Sequence, residues 1–152
     1  MPGMPSNTEL FLICRSAGHL CALPLDKVRE IMRPLPLERM AGPGAASFVL
    51  GASIVRGAVV PVLSLAGLLG GHDAVRHERY VSLRLGERNA ALAVDSVLGI
   101  ATAAGTEGIA PLLGAVEHAA VAAITTHDAE LLYVLQASKL IPDSVWADGA
   151  QA

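Results

Sequence analysis

The chain has 152 residues, of which 53% are hydrophobic and 3% aromatic, and its 11 basic and 14 acidic side chains give a net charge of −3 at pH 7. This size fits one domain with a sizeable core, no stretch of about 18 uninterrupted apolar residues offers a membrane span, and the acidic balance argues against nucleic-acid binding. The N-terminus lacks the basic start and apolar middle of a signal peptide, which predicts a soluble, cytoplasmic protein that works through protein partners.

Short strands dominate the predicted elements. Segments rich in valine, isoleucine and leucine are separated by turn residues about every 8 to 12 positions, a pattern typical of an all-β sandwich or barrel. In chain order, the predicted strands are residues 9–15, 20–24, 28–33, 49–55, 58–63, 78–86, 89–95, 97–101, 121–126 and 130–135. Two short helical segments, 63–70 and 136–146, each follow a strand directly.

The two cysteines lie on either side of the first predicted turn. A hairpin that turns at Ala17-Gly18 places Cys14 opposite Cys21 on the neighbouring strand. Because a reducing cytoplasm keeps thiols free, both are predicted to be buried core thiols, with a cross-strand pairing as the alternative.

The chain contains an internal repeat. A shift of 69 positions aligns residues 14–31 with 83–100, and a shift of 72 aligns 57–69 with 129–141. The identical pairs of the first alignment are Arg15/Arg84, Ala22/Ala91, Leu23/Leu92, Asp26/Asp95, Val28/Val97 and Ile31/Ile100. The repeat predicts two similar β units, each too small to bury a core alone.

The repeat also predicts how the chain is organised. A single domain spans residues 9–146 and contains the two β units, which are joined by the polar segment near 70–79. Residues 1–8 form an N-terminal extension and residues 147–152 a C-terminal tail.

The repeated aspartates, Asp26 and Asp95, follow the second strand of each unit. At this position a carboxylate can accept hydrogen bonds from backbone N–H groups and shape the turn into the next strand.

Candidate catalytic and metal-binding groups are few. His72, Asp73 and His77 approach a metal-binding cluster, but no further ligand is nearby in sequence and no apolar shell surrounds them, so no metal is expected. Asp26, Glu30 and Glu38 lie among basic neighbours, which is typical of a solvated strand face. With no nucleophile motif and no phosphate-binding loop, the sequence predicts no catalytic residue and no cofactor.

One charge interrupts the apolar segment 53–69. Arg56 is followed by Gly57, which permits the positive φ of a tight turn and places the guanidinium at the tip of a strand pair. Arginine is favoured in protein interfaces because its planar fork donates several hydrogen bonds while its stem packs on apolar surface. An ordinary exposed arginine at a hairpin turn is the alternative.

Three segments, 21–32, 51–65 and 90–100, resemble CheW-like proteins, the coupling proteins of bacterial chemotaxis. The family typically shows a glycine, then Asn-x-Arg-Gly, then a proline followed by an apolar residue and Asp-Leu. The matching residues here are Gly51, Arg56, Gly57, Pro61, Val62 and Leu65. Two positions depart from the pattern, because Ile54 replaces the usual asparagine and Ser64 the usual aspartate.

The resemblance implies an all-β fold of two small SH3-like five-stranded β-barrel subdomains that share a hydrophobic seam, with one or two short helices. It implies a non-catalytic adaptor that couples the cytoplasmic tips of chemoreceptors to the regulatory domain of the histidine kinase CheA. Other CheW-like domains are further possible partners. A CheW-like structural homo-oligomer and an adaptor of a non-flagellar chemosensory pathway are the alternatives.

The resemblance also implies a partner-binding site. Carried over to this sequence, the receptor-facing residues are Val28, Glu30, Gly51 and Arg56. Gly57 supports the turn that carries Arg56, and Ile54 is a neighbour of the site. The sequence does not assign the kinase-binding surface, which is expected to be a more apolar strand face.

Overall fold

The computed structural model describes residues 9–38, 48–69, 77–102 and 121–141. In this part of the chain the strands are β1 (Leu10–Ser16), β2 (His19–Pro24), β3 (Val28–Met32), β4 (Val49–Val55), β5 (Ala58–Ser64), β6 (Arg79–Leu85), β7 (Arg88–Val94), β8 (Ser96–Thr102), β9 (Val121–His127) and β10 (Glu130–Leu135). The helical elements are a 3-10 turn (Leu25–Lys27), α1 (Leu65–Leu68) and α2 (Ala137–Leu140).

All ten predicted strands are confirmed, with each end within one residue of its predicted position. Both helical segments contain a helix, α1 and α2, although the end of the second prediction, residues 142–146, lies outside the described residues. The strands were predictable because compact turns separate short apolar segments.

The strands form two five-stranded sheets, which confirms the predicted all-β fold. Sheet A has the order β8-β1-β2-β10-β9, and sheet B has the order β3-β6-β7-β5-β4. Neighbouring strands are antiparallel except for the parallel pairs β2–β10 and β5–β7. When each strand is replaced by its repeat equivalent, the order of sheet A becomes the order of sheet B, so the sequence repeat is also a repeat of topology.

The division of the chain into two sheets does not coincide with its division into two sequence repeats. Sheet B contains β3 to β7, so β5 and β6, the strands on either side of residues 70–79, belong to the same sheet although they belong to different repeats. The chain passes between sheets at the 3-10 turn that contains Asp26 and again at Asp95, after β7. Each sheet thus combines a hairpin from one repeat with three strands from the other, and this exchange lets the two small units share a core.

The described core residues form three clusters, which lie on both faces of each sheet. The largest, which we call the seam, contains Leu12 and Leu23 of sheet A together with Leu83 and Leu92 of sheet B. The inner cluster of sheet A consists of Phe11, Ile13, Leu20, Ala22, Leu132 and Val134. The inner cluster of sheet B consists of Val55, Val60, Val62, Tyr80, Ala91 and Ala93. Successive strand residues point to opposite faces, so β1 contributes alternately to the seam and to an inner cluster.

The two cysteines lie in the seam. Cys14 is directly opposite Cys21 in the β1–β2 register, and both are free thiols, as the sequence predicted. Burial raises the pKa of Cys21 to about 12 and also raises the pKa of Cys14, for which the nearby Cys21 is a second cause. Both therefore remain protonated and behave as small apolar core residues.

Candidate partner-binding site

Arg56 occupies the two-residue turn between β4 and β5. Val55 pairs with Ala58 across the turn, and φ is +53° at Arg56 and +82° at Gly57. Two positive φ values are typical of the type I′ turn, whose twist matches that of the adjoining strands. Gly57 adopts this conformation without cost, whereas Arg56 is a non-glycine residue in the left-handed region. The turn leaves 77% of the Arg56 side chain exposed.

A bidentate ion pair joins Arg56 to Glu30. The distance from Arg56 Nε to Glu30 Oε2 is 2.9 Å, and the distance from Nη2 to Oε1 is 3.1 Å. Hydrogen bonding to Arg56 lowers the pKa of Glu30, and hydrogen bonding to Glu30 raises the pKa of Arg56. Glu30 is therefore a carboxylate at neutral pH and is not available as a catalytic acid.

The ion pair also connects the two edges of sheet B. Glu30 lies on β3 at one edge, and Arg56 follows β4 at the other. A second contact links β4 to the segment that follows β3, because Glu38 and Ala52 exchange backbone hydrogen bonds of 2.7 and 2.8 Å. Both contacts connect β4 and its turn to β3 or to the chain that leaves it, as closure of the sheet requires.

Two exposed apolar side chains adjoin the ion pair. Ile54 is directly opposite Val59 in the β4–β5 register, and the two residues are 66% and 71% exposed. Cross-strand partners share one face, so their side chains form a continuous apolar pair. Exposed β-branched residues beside an arginine resemble the composition of protein interfaces more than that of a catalytic site.

The other two predicted site residues are less accessible. Gly51 is buried, and a Cβ atom at this position would lie 2.5 Å from the carbonyl oxygen of Glu38. Its lack of a side chain therefore has a packing explanation within sheet B. Val28 is partly buried and packs against the seam. Of the six predicted residues, the structure thus brings Glu30 and Arg56 into direct contact and places Ile54 and Gly57 beside them.

Ser64 retains the structural role expected of an aspartate at its position. It is the N-cap of α1, where its Oγ accepts a hydrogen bond of 3.1 Å from the Gly67 amide. Serine and aspartate are similarly good N-caps, so this departure from the family pattern preserves the start of the helix. Ile54 has no equivalent compensation, because an exposed apolar side chain replaces a polar one.

The sequence reasoning missed a set of exposed apolar residues at the rim of the seam. Ile31 on β3 is opposite Val81, and Ile100 on β8 is opposite Leu12, so both isoleucines lie on the seam side of an edge strand. We call Ile31 and Ile100 the seam rim. Leu98, also on β8, is exposed as well, but it lies at the bulge of that strand and is not assigned to the rim. The sequence repeat could have indicated these two residues, since Ile31 and Ile100 are one of its identical pairs.

The described residues contain no group of three or more histidine, cysteine, aspartate or glutamate side chains that could hold a metal. Of the histidine-containing candidate cluster, only His77 is described, because His72 and Asp73 lie outside the described residues. Within the part of the chain that is described, no helix is long and apolar enough to cross a membrane.

The sequence matches the family model of the CheW-like domain over residues 10–145, and the chain therefore belongs to the CheW-like domain family. This is a family of non-catalytic scaffolding domains of chemotaxis signalling, and the chain is accordingly not an enzyme. No match is found among curated protein sequences.

The fold is similar to a crystal structure of the scaffolding protein TtCheW from Thermoanaerobacter tengcongensis. The TM-score is 0.73 at 20% sequence identity, and the similarity covers 90% of this chain and 92% of that one. Because the sequence identity is only 20%, this similarity supports the fold and does not identify the binding partners of this chain.

Proposed function

We propose that the protein is a non-catalytic adaptor that couples the cytoplasmic tips of chemoreceptors to the regulatory domain of a CheA-type histidine kinase. It works in the cytoplasm and joins membrane-bound receptor arrays through these partners. Membership of the CheW-like family supports the class of function. The observation that carries the proposal is the exposed Arg56–Glu30 pair beside the apolar pair of Ile54 and Val59.

The receptor is the partner that this surface fits. A receptor tip presents a helix, and an amphipathic helix binds by placing its apolar face in a groove. The exposed apolar contacts beside the ion pair are Ile54 and Val59, whereas Ile31 of the seam rim directly follows Glu30 on β3 and therefore points to the opposite face of that strand. Arg56 provides a charge-assisted hydrogen bond that fixes the register of the helix, since its Nη1 makes no hydrogen bond within the described residues.

The kinase requires a second surface, because an adaptor must hold both partners at once. Loss of receptor binding should therefore leave kinase binding unchanged. This separation distinguishes a coupling adaptor from a homo-oligomer, in which one surface binds another copy of the chain.

The test is a binding titration of the purified protein against a receptor-tip fragment and, separately, against the CheA regulatory domain. We expect Arg56→Glu to weaken receptor binding by roughly 5- to 150-fold, because a central interface arginine is lost and its partner group is left unpaired. Arg84→Glu is the matched control, since Arg84 is an exposed arginine near another turn of sheet B. Unchanged receptor binding by a folded Arg56→Glu variant would disprove the site, and binding of neither partner by the wild type would disprove the function.

A further inference from the structure

One face of the β4–β5 hairpin is apolar from the turn to the seam. Ile54 pairs with Val59 next to the turn, and the next pair on the same face is Ala52 with Pro61. Leu63, two residues beyond Pro61 on β5, belongs to the seam. The exposed pair of Ile54 and Val59 is therefore the outer end of an apolar strip that begins in the core.

The register of this hairpin fixes the exposure of Ile54. Its neighbours Ser53 and Val55 are buried, and Ser53 Oγ donates a hydrogen bond of 2.8 Å to the Pro36 carbonyl. Because successive strand residues point to opposite faces, Ile54 could turn inward only if the strand slipped by one residue and moved Val55 out of the inner cluster. Ile54 is therefore held on the surface of the described fold.

The sequence repeat shows that this position does not require an apolar residue. The shift of 72 positions places Thr126 at the position of Ile54 and Leu131 at that of Val59, and Thr126 and Leu131 also pair beside a two-residue turn. Thr126 is exposed, so the equivalent hairpin of sheet A carries a polar side chain there. The isoleucine at position 54 therefore has no explanation in the packing of the described residues.

The charge beside the apolar pair is positive and has unused hydrogen-bonding capacity. Arg56 is the only charged residue between positions 49 and 64. Both carboxylate oxygens of Glu30 already accept hydrogen bonds from Arg56, whereas Arg56 Nη1 makes none within the described residues. The surface therefore complements a partner that places a carboxylate next to an aliphatic side chain.

A helix presents this combination when a carboxylate and an aliphatic residue are three or four positions apart, because such residues share one face. We propose that Ile54 determines which receptor the protein accepts: it selects a receptor-tip helix with an aliphatic side chain against Ile54 and Val59, beside the carboxylate that binds Arg56. A polar side chain at that position of the helix would be buried without a hydrogen-bond partner, which disfavours other receptors. This inference rests on the proposed function, since it takes the receptor tip as the partner.

Two substitutions at position 54 separate polarity from shape. Valine and threonine are similar in size, but threonine has a hydroxyl group where valine has a methyl group. In titrations with a receptor-tip fragment, we expect Ile54→Thr to bind about 5- to 150-fold more weakly than Ile54→Val, the range for one buried polar group without a partner. Thr126→Val, the matched change in the sheet A hairpin, should bind like the wild type. Chemical denaturation should give all three variants the stability of the wild type, because the changed side chains are exposed.

A second titration identifies the receptor residue that contacts Ile54. Each exposed aliphatic side chain of the receptor-tip fragment is changed in turn to threonine, and each fragment is titrated against the wild type and Ile54→Thr. We expect one position at which the affinity lost with the wild type is not lost with Ile54→Thr. Equal binding by Ile54→Val and Ile54→Thr, or the lack of any such position, would overturn the inference. If Arg56→Glu still weakened binding in that case, the proposed function would stand, whereas a wild type that binds no receptor-tip fragment would overturn both.

A second copy of the chain is the alternative occupant of the apolar pair. Sedimentation of the wild type and of Ile54→Thr, without a receptor fragment, distinguishes it from a receptor. We expect both proteins to sediment as the same species. A wild-type oligomer that Ile54→Thr converts to a monomer would assign Ile54 and Val59 to self-association and overturn the inference.

Discussion

Arg56 and Glu30 have two possible roles that single substitutions do not separate. The ion pair connects the edges of sheet B, and the same guanidinium is the proposed receptor contact. Removing either charge disturbs both roles, because the remaining group loses its partner. Exchanging the two charged residues keeps an ion pair between the strands but changes the charge at the turn, and so it separates the two roles.

The charge-swapped double variant Glu30→Arg/Arg56→Glu provides this separation. We expect it to fold with wild-type stability, because an exposed pair of opposite charges is retained. We expect receptor binding to stay as weak as in Arg56→Glu, because the partner then meets a carboxylate at the turn. Titration of the receptor-tip fragment against both single variants and the double variant measures the difference. Restored receptor binding in the double variant would assign Arg56 to sheet closure alone.

Gly51 can be explained by packing alone. Its φ is +150°, and the carbonyl oxygen of Glu38 occupies the space that a side chain would need. Gly99 has a nearly identical φ of +148°, but nothing lies within 4 Å of its would-be Cβ. An alanine would therefore be strained by the backbone conformation at both positions, but it would meet a steric clash only at position 51.

This difference makes a matched pair of alanine substitutions informative. Gly51→Ala should lower the free energy of unfolding by about 2 to 4 kcal/mol, whereas Gly99→Ala should lose only the roughly 1 to 2 kcal/mol of backbone strain. Chemical denaturation of both variants measures these losses. Equal losses would mean that the Glu38 segment moves away from β4 readily.

At the scale of elements, the sequence was informative about strands and turns. Each strand could be predicted because its signals are local: a short apolar segment ends at a turn such as Arg56-Gly57 or Ala17-Gly18. The pairing of Cys14 with Cys21 was predictable for the same reason, since a two-residue turn fixes the register of its hairpin.

The exchange of strands between repeats was not predictable by this reasoning. Whether β3 pairs with the hairpin of its own repeat or with β6 depends on contacts between residues distant in sequence. The repeat alignment shows which strands are equivalent, but it does not show which strands pair with each other in the folded protein. The same limit applies to the site, because Arg56 and Glu30 are 26 positions apart and meet only after sheet B has formed.

The whole molecule is held together by the seam, which contains side chains of both sheets. Each sheet also has an inner cluster of its own, but these clusters are small. The chain crosses between the sheets twice, so neither can unfold without exposing seam residues of the other. We therefore expect one cooperative unfolding transition for the described fold.

Leu92→Ala tests this shared core. Leu92 is fully buried in the seam on the central strand β7, so its truncation should lower the free energy of unfolding by about 2 to 5 kcal/mol. The two tyrosines report on the two sheets separately, since Tyr80 lies in sheet B and Tyr133 in sheet A. With fluorotyrosine at both positions, ¹⁹F NMR during denaturation should show coincident transitions in the wild type and a coincident shift of both in the variant. Separate midpoints for the two tyrosines would show instead that each sheet is stable on its inner cluster alone, and that the seam is an interface between two independently folding units.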